Sequence, residues 1–182
     1  MPEPFYTVDN LEAPTSVGFL MKRCGILMSQ IAERRFAGEP VSFTQWIVLA
    51  TLSRHEHLSP TGLSAETGHD MGALTRIVDD LEEKGLVRRA RSEHDRRAVE
   101  ITVTPQGRKR MESGKRVMVE LLNLLVSPYS RQEVESLIGL LQRMVAHLQE
   151  SESRETARTS AVAEPEPSRP RRTRRPGKAG AA

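Results

Sequence analysis

The chain has 182 residues, of which 37% are hydrophobic, and its formal net charge is +3 at pH 7. This length allows one domain of ordinary size with some additional sequence, and the longest uncharged run, residues 40–53, is too short to span a bilayer. Residues 1–10 lack the apolar block of a signal peptide, and the one cysteine excludes an internal disulfide, so we expect a cytoplasmic protein with no membrane partner.

The N-terminal part of the chain is predicted to be an arm followed by a helix. Residues 1–14 have no periodicity, and their aromatic pair, Phe5 and Tyr6, is available to pack on a partner subunit. From Thr15 the apolar residues recur at the i, i+3, i+4, i+7 spacing, which predicts an amphipathic helix to about residue 37. Because Cys24 falls in this apolar stripe, we expect a buried structural residue rather than a redox site.

The next segment predicts three helices in close succession. Ser42 or Thr44 can cap a helix that ends near residues 55–57, and Ser59 followed by Pro60 predicts a short helix over residues 60–67. Gly68 interrupts that helix, and Asp70 caps another that runs to about residue 84. The buried stripe of this last helix is Leu74, Ile77, Val78 and Leu81.

A hairpin and two long helices complete the predicted order. Gly85 ends the preceding helix, and residues 86–89 and 99–103 alternate as two β-strands around a charged tip. Thr104 and Pro105 open a helix to about residue 126, and Ser130 with Glu133 forms a capping box for a last helix. The predicted fold class is therefore mainly α with a small β-hairpin wing.

A helix, a tight turn, a second helix and a basic hairpin outline a winged helix-turn-helix, which binds double-stranded DNA through the second helix and the wing. Small and cationic residues at the start of that helix suit entry into the major groove. The alternative interpretations are helix capping for Ser59 and Thr61, an ordinary exposed helix face for Thr75 and Arg76, and a solvated hairpin for the wing arginines. The candidate DNA contacts are Ser59, Thr61, His69, Gly72, Ala73, Thr75, Arg76, Arg91, Arg96 and Arg97.

The outer helices, over about residues 15–37 and 105–149, carry more apolar surface than a DNA-binding head of about residues 44–104 can cover. A second copy would bury the excess and would present two heads to paired half-sites about one helical turn apart. We therefore predict a homodimer.

Three motifs carry a resemblance to a known family: TGLSAETG at residues 61–68, TRIVDDLEEKGLVRR at residues 75–89 and DRRAVEITVTPQG at residues 95–107. Over about residues 15–149 the chain resembles the MarR family of bacterial transcriptional regulators. The resemblance implies a cytoplasmic six-helix, winged-helix dimer, usually a repressor that leaves DNA when it binds a small aromatic acid or phenol. Some members respond instead to thiol oxidation or to a metal. The resemblance also implies that Arg97 enters the minor groove and that Asp95 holds it in position.

An effector pocket is implied between the dimerisation helices and the head. Phe19, Arg23, Phe43, Trp46 and Asn123 offer an aromatic wall, a cation and an amide there, which suits an aromatic carboxylate. The alternative is that the three aromatic residues belong to the core.

Other chemistry has little support in the sequence. The i, i+2 spacing of His55 and His57 at a helix end does not aim both rings inward, so we interpret them as loop residues and expect no metal or cofactor. No nucleophile triad, phosphate-binding glycine loop or carboxylate pair stands out, and we expect no enzyme.

The C-terminal segment, residues 150–182, loses its apolar residues and ends in a run of arginines, which predicts a disordered basic tail. Such a tail adds salt-sensitive DNA affinity or merely solubilises the protein. The favoured function is a ligand-released repressor, and the alternative is a constitutive or architectural DNA-binding protein with no effector.

Overall fold

The structure is a computed structural model that describes residues 4–55, 57–91 and 99–162. Six α-helices and one β-hairpin make up this described part of the chain. The hairpin strands are antiparallel, and a 3-10 turn, Ala13–Thr15, precedes the first helix. The predicted fold class is confirmed. In chain order the elements are α1 (Val17–Phe36), α2 (Phe43–Leu52), α3 (Pro60–Thr67), α4 (Met71–Glu83), β1 (Val87–Arg91), β2 (Val99–Val103), α5 (Pro105–Val126) and α6 (Arg131–Val162).

The chain divides into two units after Pro128, the first with α1–α5 and the hairpin, the second with α6. None of the helices in the described ranges combines the length and the apolar character that crossing a membrane requires.

Capping side chains set most of the helix starts. Ser42, Ser59, Asp70 and Thr104 each accept a hydrogen bond from the backbone N–H three residues further on. Because these signals are local, α3 and α5 have the bounds that the sequence predicts. In contrast, α2 ends at Leu52, earlier than expected.

Gly85 ends α4 by adopting the left-handed conformation, with φ of +67°. Its N–H donates to the carbonyl of Glu82, and the N–H of Leu86 donates to the carbonyl of Leu81 at 2.8 Å. This pair of bonds is a Schellman motif, which satisfies carbonyls at the helix end and turns the chain directly into β1.

Two clusters of buried side chains form the core of the first unit. The larger cluster fills the head with residues from α2, α3, α4 and the hairpin, among them Leu49, Leu63 and Ile101. The smaller cluster joins α1, α2 and α5 through Phe36, Phe43, Met118 and Leu121. Trp46 packs against both clusters, and α2 therefore connects the head to α1 and α5.

The hairpin is fixed to α4 by Arg89. Its guanidinium contacts Asp79 Oδ1 and Glu82 Oε2, each at 2.6 Å, and its backbone N–H donates to Glu82 Oε1 at 2.8 Å. On the other edge of β2, the Ile101 N–H donates to the Leu58 carbonyl at 2.9 Å. The backbone at Leu58 therefore runs beside β2, and β2 runs beside β1, which Arg89 anchors to α4.

Cys24 is exposed, whereas the sequence led us to expect burial. The reason is that only the C-terminal half of α1 reaches the core, where Ala32 and Phe36 are buried. Leu20 and Leu27, on the same stripe as Cys24, are also more than two-fifths exposed.

The last helix continues to Val162, beyond the expected start of a disordered segment at residue 150. Its polar end is supported locally: Arg154 pairs with Glu150 at 3.5 Å, and Ser151 and Ser153 hydroxyls donate to carbonyls four residues earlier. The end of the apolar pattern therefore marks the end of an apolar face and not the end of the helix. The basic run at residues 169–178 lies outside the described residues.

The Arg89 anchor predicts a pH-dependent stability. The backbone N–H of Arg89, and next its guanidinium, hold the pKa of the Glu82 carboxyl below its ordinary value of 4.5. A lowered pKa stabilises the fold above the unfolded value, and this contribution is lost as the pH falls through the folded value. At pH 7 we expect Glu82→Gln to lower the free energy of unfolding by about 1 kcal/mol, because the carboxylate is partly exposed.

Urea titrations at several pH values, followed by the fluorescence of Trp46, measure this difference. It should shrink towards zero as the pH falls below 4.5 and through the lower pKa of Glu82 in the folded chain, because Glu82 itself becomes protonated. Glu83→Gln, at an exposed neighbouring position, is the matched control. If Glu82→Gln lowers the free energy of unfolding by the same amount in acid as at pH 7, the ionic role of Glu82 is contradicted.

Candidate nucleic-acid interface

The turn between α3 and α4 is held by its own hydrogen bonds. Gly68 adopts φ of +70°, and its N–H donates to the Ser64 carbonyl. The Ser64 hydroxyl donates to the carbonyl of His69 at 2.7 Å. Asp70 then accepts from the backbone N–H of Ala73 at 2.9 Å, and this bond lowers the pKa of the Asp70 carboxyl. The start of α4 is therefore fixed in position relative to α3.

The two faces of α4 differ as the sequence pattern predicts. Leu74, Val78 and Leu81 are buried against the head. Gly72, Thr75 and Arg76 are exposed, and Ala73 is partly buried between the two faces. The exposed face of the first two turns of α4 therefore carries small side chains and one cation beside the half-exposed side chain of Met71.

Thr75 and Arg76 differ in how their polar groups are engaged. The Thr75 hydroxyl donates to the Met71 carbonyl at 2.7 Å, which leaves its oxygen free to accept another bond. Arg76 forms no salt bridge with any described residue. Its guanidinium is therefore available to an external acceptor.

Three other candidates lie around α3 and the turn. Ser59 accepts from the Gly62 N–H at 3.1 Å, which is the capping role given above as the alternative, and Thr61 is exposed. His69 is half-buried, and its Nε2 atom is buried without a hydrogen-bond partner among the described residues. That nitrogen is not available to DNA in this conformation.

At the wing, Arg91 is exposed at the end of β1, opposite Val99 of β2. Asp95, Arg96 and Arg97 lie outside the described residues. Arg89, one of the basic residues of this region, is held by Asp79 and Glu82 and faces α4.

A second connection to α4 was not found from the sequence. The Gln45 amide donates to the Asp80 carboxylate, and Lys84 Nζ contacts the same carboxylate at 2.8 Å. The Gln45 side chain also accepts from the Ser42 N–H at 3.1 Å, which completes a capping box at the start of α2. The Ser42 and Gln45 spacing signals the capping box, but the partner on α4 depends on the tertiary fold.

The candidate effector residues fall into two groups. Phe43 is buried, and Trp46 packs on Phe36 with ring centroids 6.0 Å apart and donates from Nε1 to the Met111 carbonyl at 2.8 Å. Phe43 and Trp46 therefore belong to the core, which was the alternative to an effector-binding role. Phe19, Arg23 and Asn123 are exposed on α1 and α5.

A separate cleft lies between α4 and the hairpin. Its volume is about 420 Å³, and apolar side chains such as Met71, Val78 and Val99 form most of its wall. Its polar lining consists of the Thr75 hydroxyl and the ion pair between Arg89 and Asp79. We call this space the wing cleft.

Comparisons with known proteins agree with this geometry. A family model described as MarR family matches residues 40–98. The transcriptional regulator PecS of Dickeya dadantii is 30% identical over 131 residues, which cover 70% of this chain and 79% of PecS. The transcriptional repressor MprA of Escherichia coli is 26% identical over 138 residues, which cover 73% of this chain and 78% of MprA.

The crystal structure of wild-type MarR from E. coli, in its apo form, matches with a TM-score of 0.64 at 25% identity, over 71% of this chain and 96% of MarR. Alignments with curated relatives span from 63% to 79% of the relatives' own lengths. On these matches and on its winged helix-turn-helix, the chain belongs to the MarR family of transcriptional regulators.

Proposed function

We propose that this protein is a cytoplasmic, homodimeric repressor that binds a palindromic operator and leaves it when a small aromatic acid or phenol binds. The observation that carries the proposal is the exposed start of α4, held by the Gly68–Asp70 turn beside a hairpin that Arg89 anchors. A helix held this rigidly can enter a major groove without losing further conformational freedom.

The chemistry of the α4 surface supports DNA recognition. Gly72 and Ala73 allow the helix to approach base edges closely, because neither has a large side chain. The guanidinium of Arg76, which forms no salt bridge with a described residue, is suited to a bidentate bond with guanine. The Thr75 hydroxyl oxygen can accept a hydrogen bond from a base amino group. Ser59, Thr61 and His69 are proposed to lie near the phosphate backbone.

The wing supplies the second contact in this proposal. Arg91 and Arg96 lie near the backbone, while Arg97 enters the minor groove with Asp95 as its orienting partner. A guanidinium suits the negative potential of a narrow minor groove.

Exposed apolar side chains support the homodimer. On α1 and α5, Phe19, Leu20, Leu124 and Leu125 are each close to half exposed. On α6, Leu137, Ile138, Leu140, Val145 and Leu148 are exposed by 49% or more. Single chains in water rarely expose this many large apolar side chains on one helix, and a second copy can cover those of each unit.

The wing cleft supports a response to an effector. An aromatic ring fits its apolar wall, and a carboxylate or phenolate would reach the Arg89 guanidinium in competition with Asp79, which also lines the cleft. A ligand there would compete with DNA for Thr75. Phe19, Arg23 and Asn123 remain proposed as contacts of a second effector position near the dimerisation helices.

The proposed role of Arg97 in the minor groove can be tested by substitution. We expect Arg97→Ala to weaken operator binding by about 1–3 kcal/mol, because a specific groove contact is lost. Fluorescence anisotropy with a genomic fragment selected by the protein measures this change. Arg143→Ala, at an exposed position of α6, is the control. If both variants bind equally well, the wing does not contact DNA as proposed.

The next prediction concerns the dimer. We expect Leu137→Glu with Leu141→Glu to produce monomers, because two carboxylates would have to be buried in the interface. Sedimentation velocity gives the oligomeric state, and Gln142→Glu with Gln149→Glu adds the same two charges at exposed positions as a control. A double variant that stays dimeric would remove α6 from the interface.

A further prediction separates a ligand-released repressor from a constitutive DNA-binding protein. Salicylate, used as a simple aromatic acid, is expected to release the protein from its selected fragment. Val99→Phe should raise the salicylate concentration that is needed, because the larger ring fills the wing cleft, while Val8→Phe on the exposed arm should not. Binding that no aromatic acid or phenol relieves would favour the constitutive protein.

A further inference from the structure

A basic hollow lies on the side of the hairpin away from α4. Arg88 and Arg89 are adjacent in β1, so their side chains point to opposite faces of the strand pair. Arg89 points to α4, and Arg88 lines a separate space of about 340 Å³ between the end of α2, the hairpin and the start of α5. The cationic or titratable residues that line this basic hollow are Arg54, His55, His57, Arg88 and Arg108.

The described residues of its wall do not neutralise the positive charge of the hollow. No described carboxylate lines it, and Ser53 and Thr102 are its uncharged polar residues. At the rim, His57 contacts Glu100 at 3.3 Å and Arg54 contacts Glu66 at 3.5 Å. The His57 and Arg54 side chains in these pairs are at least 60% exposed, so the contacts screen the hollow only weakly.

Two guanidinium groups are positioned to bind an anion. Arg88 Nε donates to the Thr102 hydroxyl at 3.1 Å, which holds the side chain across the two strands and leaves its terminal nitrogens to bind elsewhere. Arg108 forms no salt bridge with a described residue and lies in the first turn of α5. The positive end of the α5 dipole adds to the potential at that point.

We propose that the basic hollow binds a small phosphate dianion, as free phosphate or as a phosphate monoester. A guanidinium group can donate two hydrogen bonds to one phosphate, and the imidazole N–H groups and the Thr102 hydroxyl supply further donors. The volume admits a phosphate with a small organic group. Because Arg88 and α4 lie on opposite sides of β1, a free anion fits this position better than a phosphate of the DNA that α4 contacts.

Binding would connect three parts of the head that meet at the hollow: the end of α2, the hairpin and the start of α5. A ligand that binds only the folded chain raises the stability of that chain in proportion to the logarithm of its concentration. The site is separate from the wing cleft and from the exposed face of α4, and it goes beyond the repressor function proposed above.

The experiment uses the full chain in phosphate-free buffer at constant ionic strength. Inorganic phosphate and glycerol 3-phosphate are titrated separately by calorimetry and by thermal unfolding, which distinguishes the free anion from a monoester. We expect saturable binding of one anion per chain. Arg88→Gln and Arg108→Gln should each weaken it by at least about tenfold, since each removes a charged hydrogen bond. Arg143→Gln, exposed on α6, should bind as the parent chain does.

Far-ultraviolet circular dichroism without the anion checks that the variants fold. If Arg88→Gln loses stability with its bond to Thr102, Arg108→Gln still decides the outcome. The proposal is overturned if neither anion binds saturably, or if both variants bind them as the parent does. It is also overturned if the two substitutions impair only DNA binding, because the hollow would then hold a backbone phosphate of DNA.

Discussion

The contact on which the DNA-binding surface depends is the pair of salt bridges between Arg89 and α4. Asp79 and Glu82 are on the C-terminal half of α4, whereas the proposed base contacts are on the N-terminal half. The C-terminal half of α4 therefore holds the hairpin, whereas the N-terminal half takes no part in these salt bridges. Since the backbone N–H of Arg89 also bonds to Glu82, both the strand and the side chain are attached, and the wing cannot swing without breaking three bonds.

Gln45 provides the complementary attachment on the other side of α4. It belongs to the cap of α2 and reaches Asp80, while Lys84 contacts both side chains. Adjacent acids of α4 thus have different partners: Asp79 binds the hairpin and Asp80 binds α2. The acids at the C-terminal end of this helix are used for internal positioning, whereas the cation near its start, Arg76, forms no salt bridge with a described residue.

Much of the fold could be predicted from the sequence because its signals are local. Ser59 with Pro60 and Thr104 with Pro105 define helix starts within a few residues, and Gly68 and Gly85 mark the places where the backbone needs a positive φ. The sequence could not predict which residues from distant parts of the chain contact one another. Trp46 reads equally as a core residue or a pocket residue until Phe36 and Met111 are seen beside it.

The same limit applies to charge and to helix length. The bond between Arg89 and Glu82 joins residues on different elements, so the pattern of arginines around the wing does not reveal which are free. The helical segment past residue 150 depends on bonds between neighbouring turns, which apolar periodicity does not measure. Exposure of Cys24 follows from where α1 leaves the core, and that point is set by the partners of Ala32 and Phe36.

The junction of α5 with the head has a mechanical consequence. Gly107 lies so close to the Leu86 carbonyl that an added Cβ would be 2.0 Å from it, and the Thr104 hydroxyl donates to the Gly85 carbonyl. The first turn of α5 is thereby locked to the end of α4. The 22 residues of α5 span about 33 Å at about 1.5 Å each. A tilt of about 5° along that length displaces one end by about 3 Å, close to the rise of one base pair. As a lever of this length, α5 would convert a small rotation at one end into a displacement at the other end that is comparable to one base-pair step.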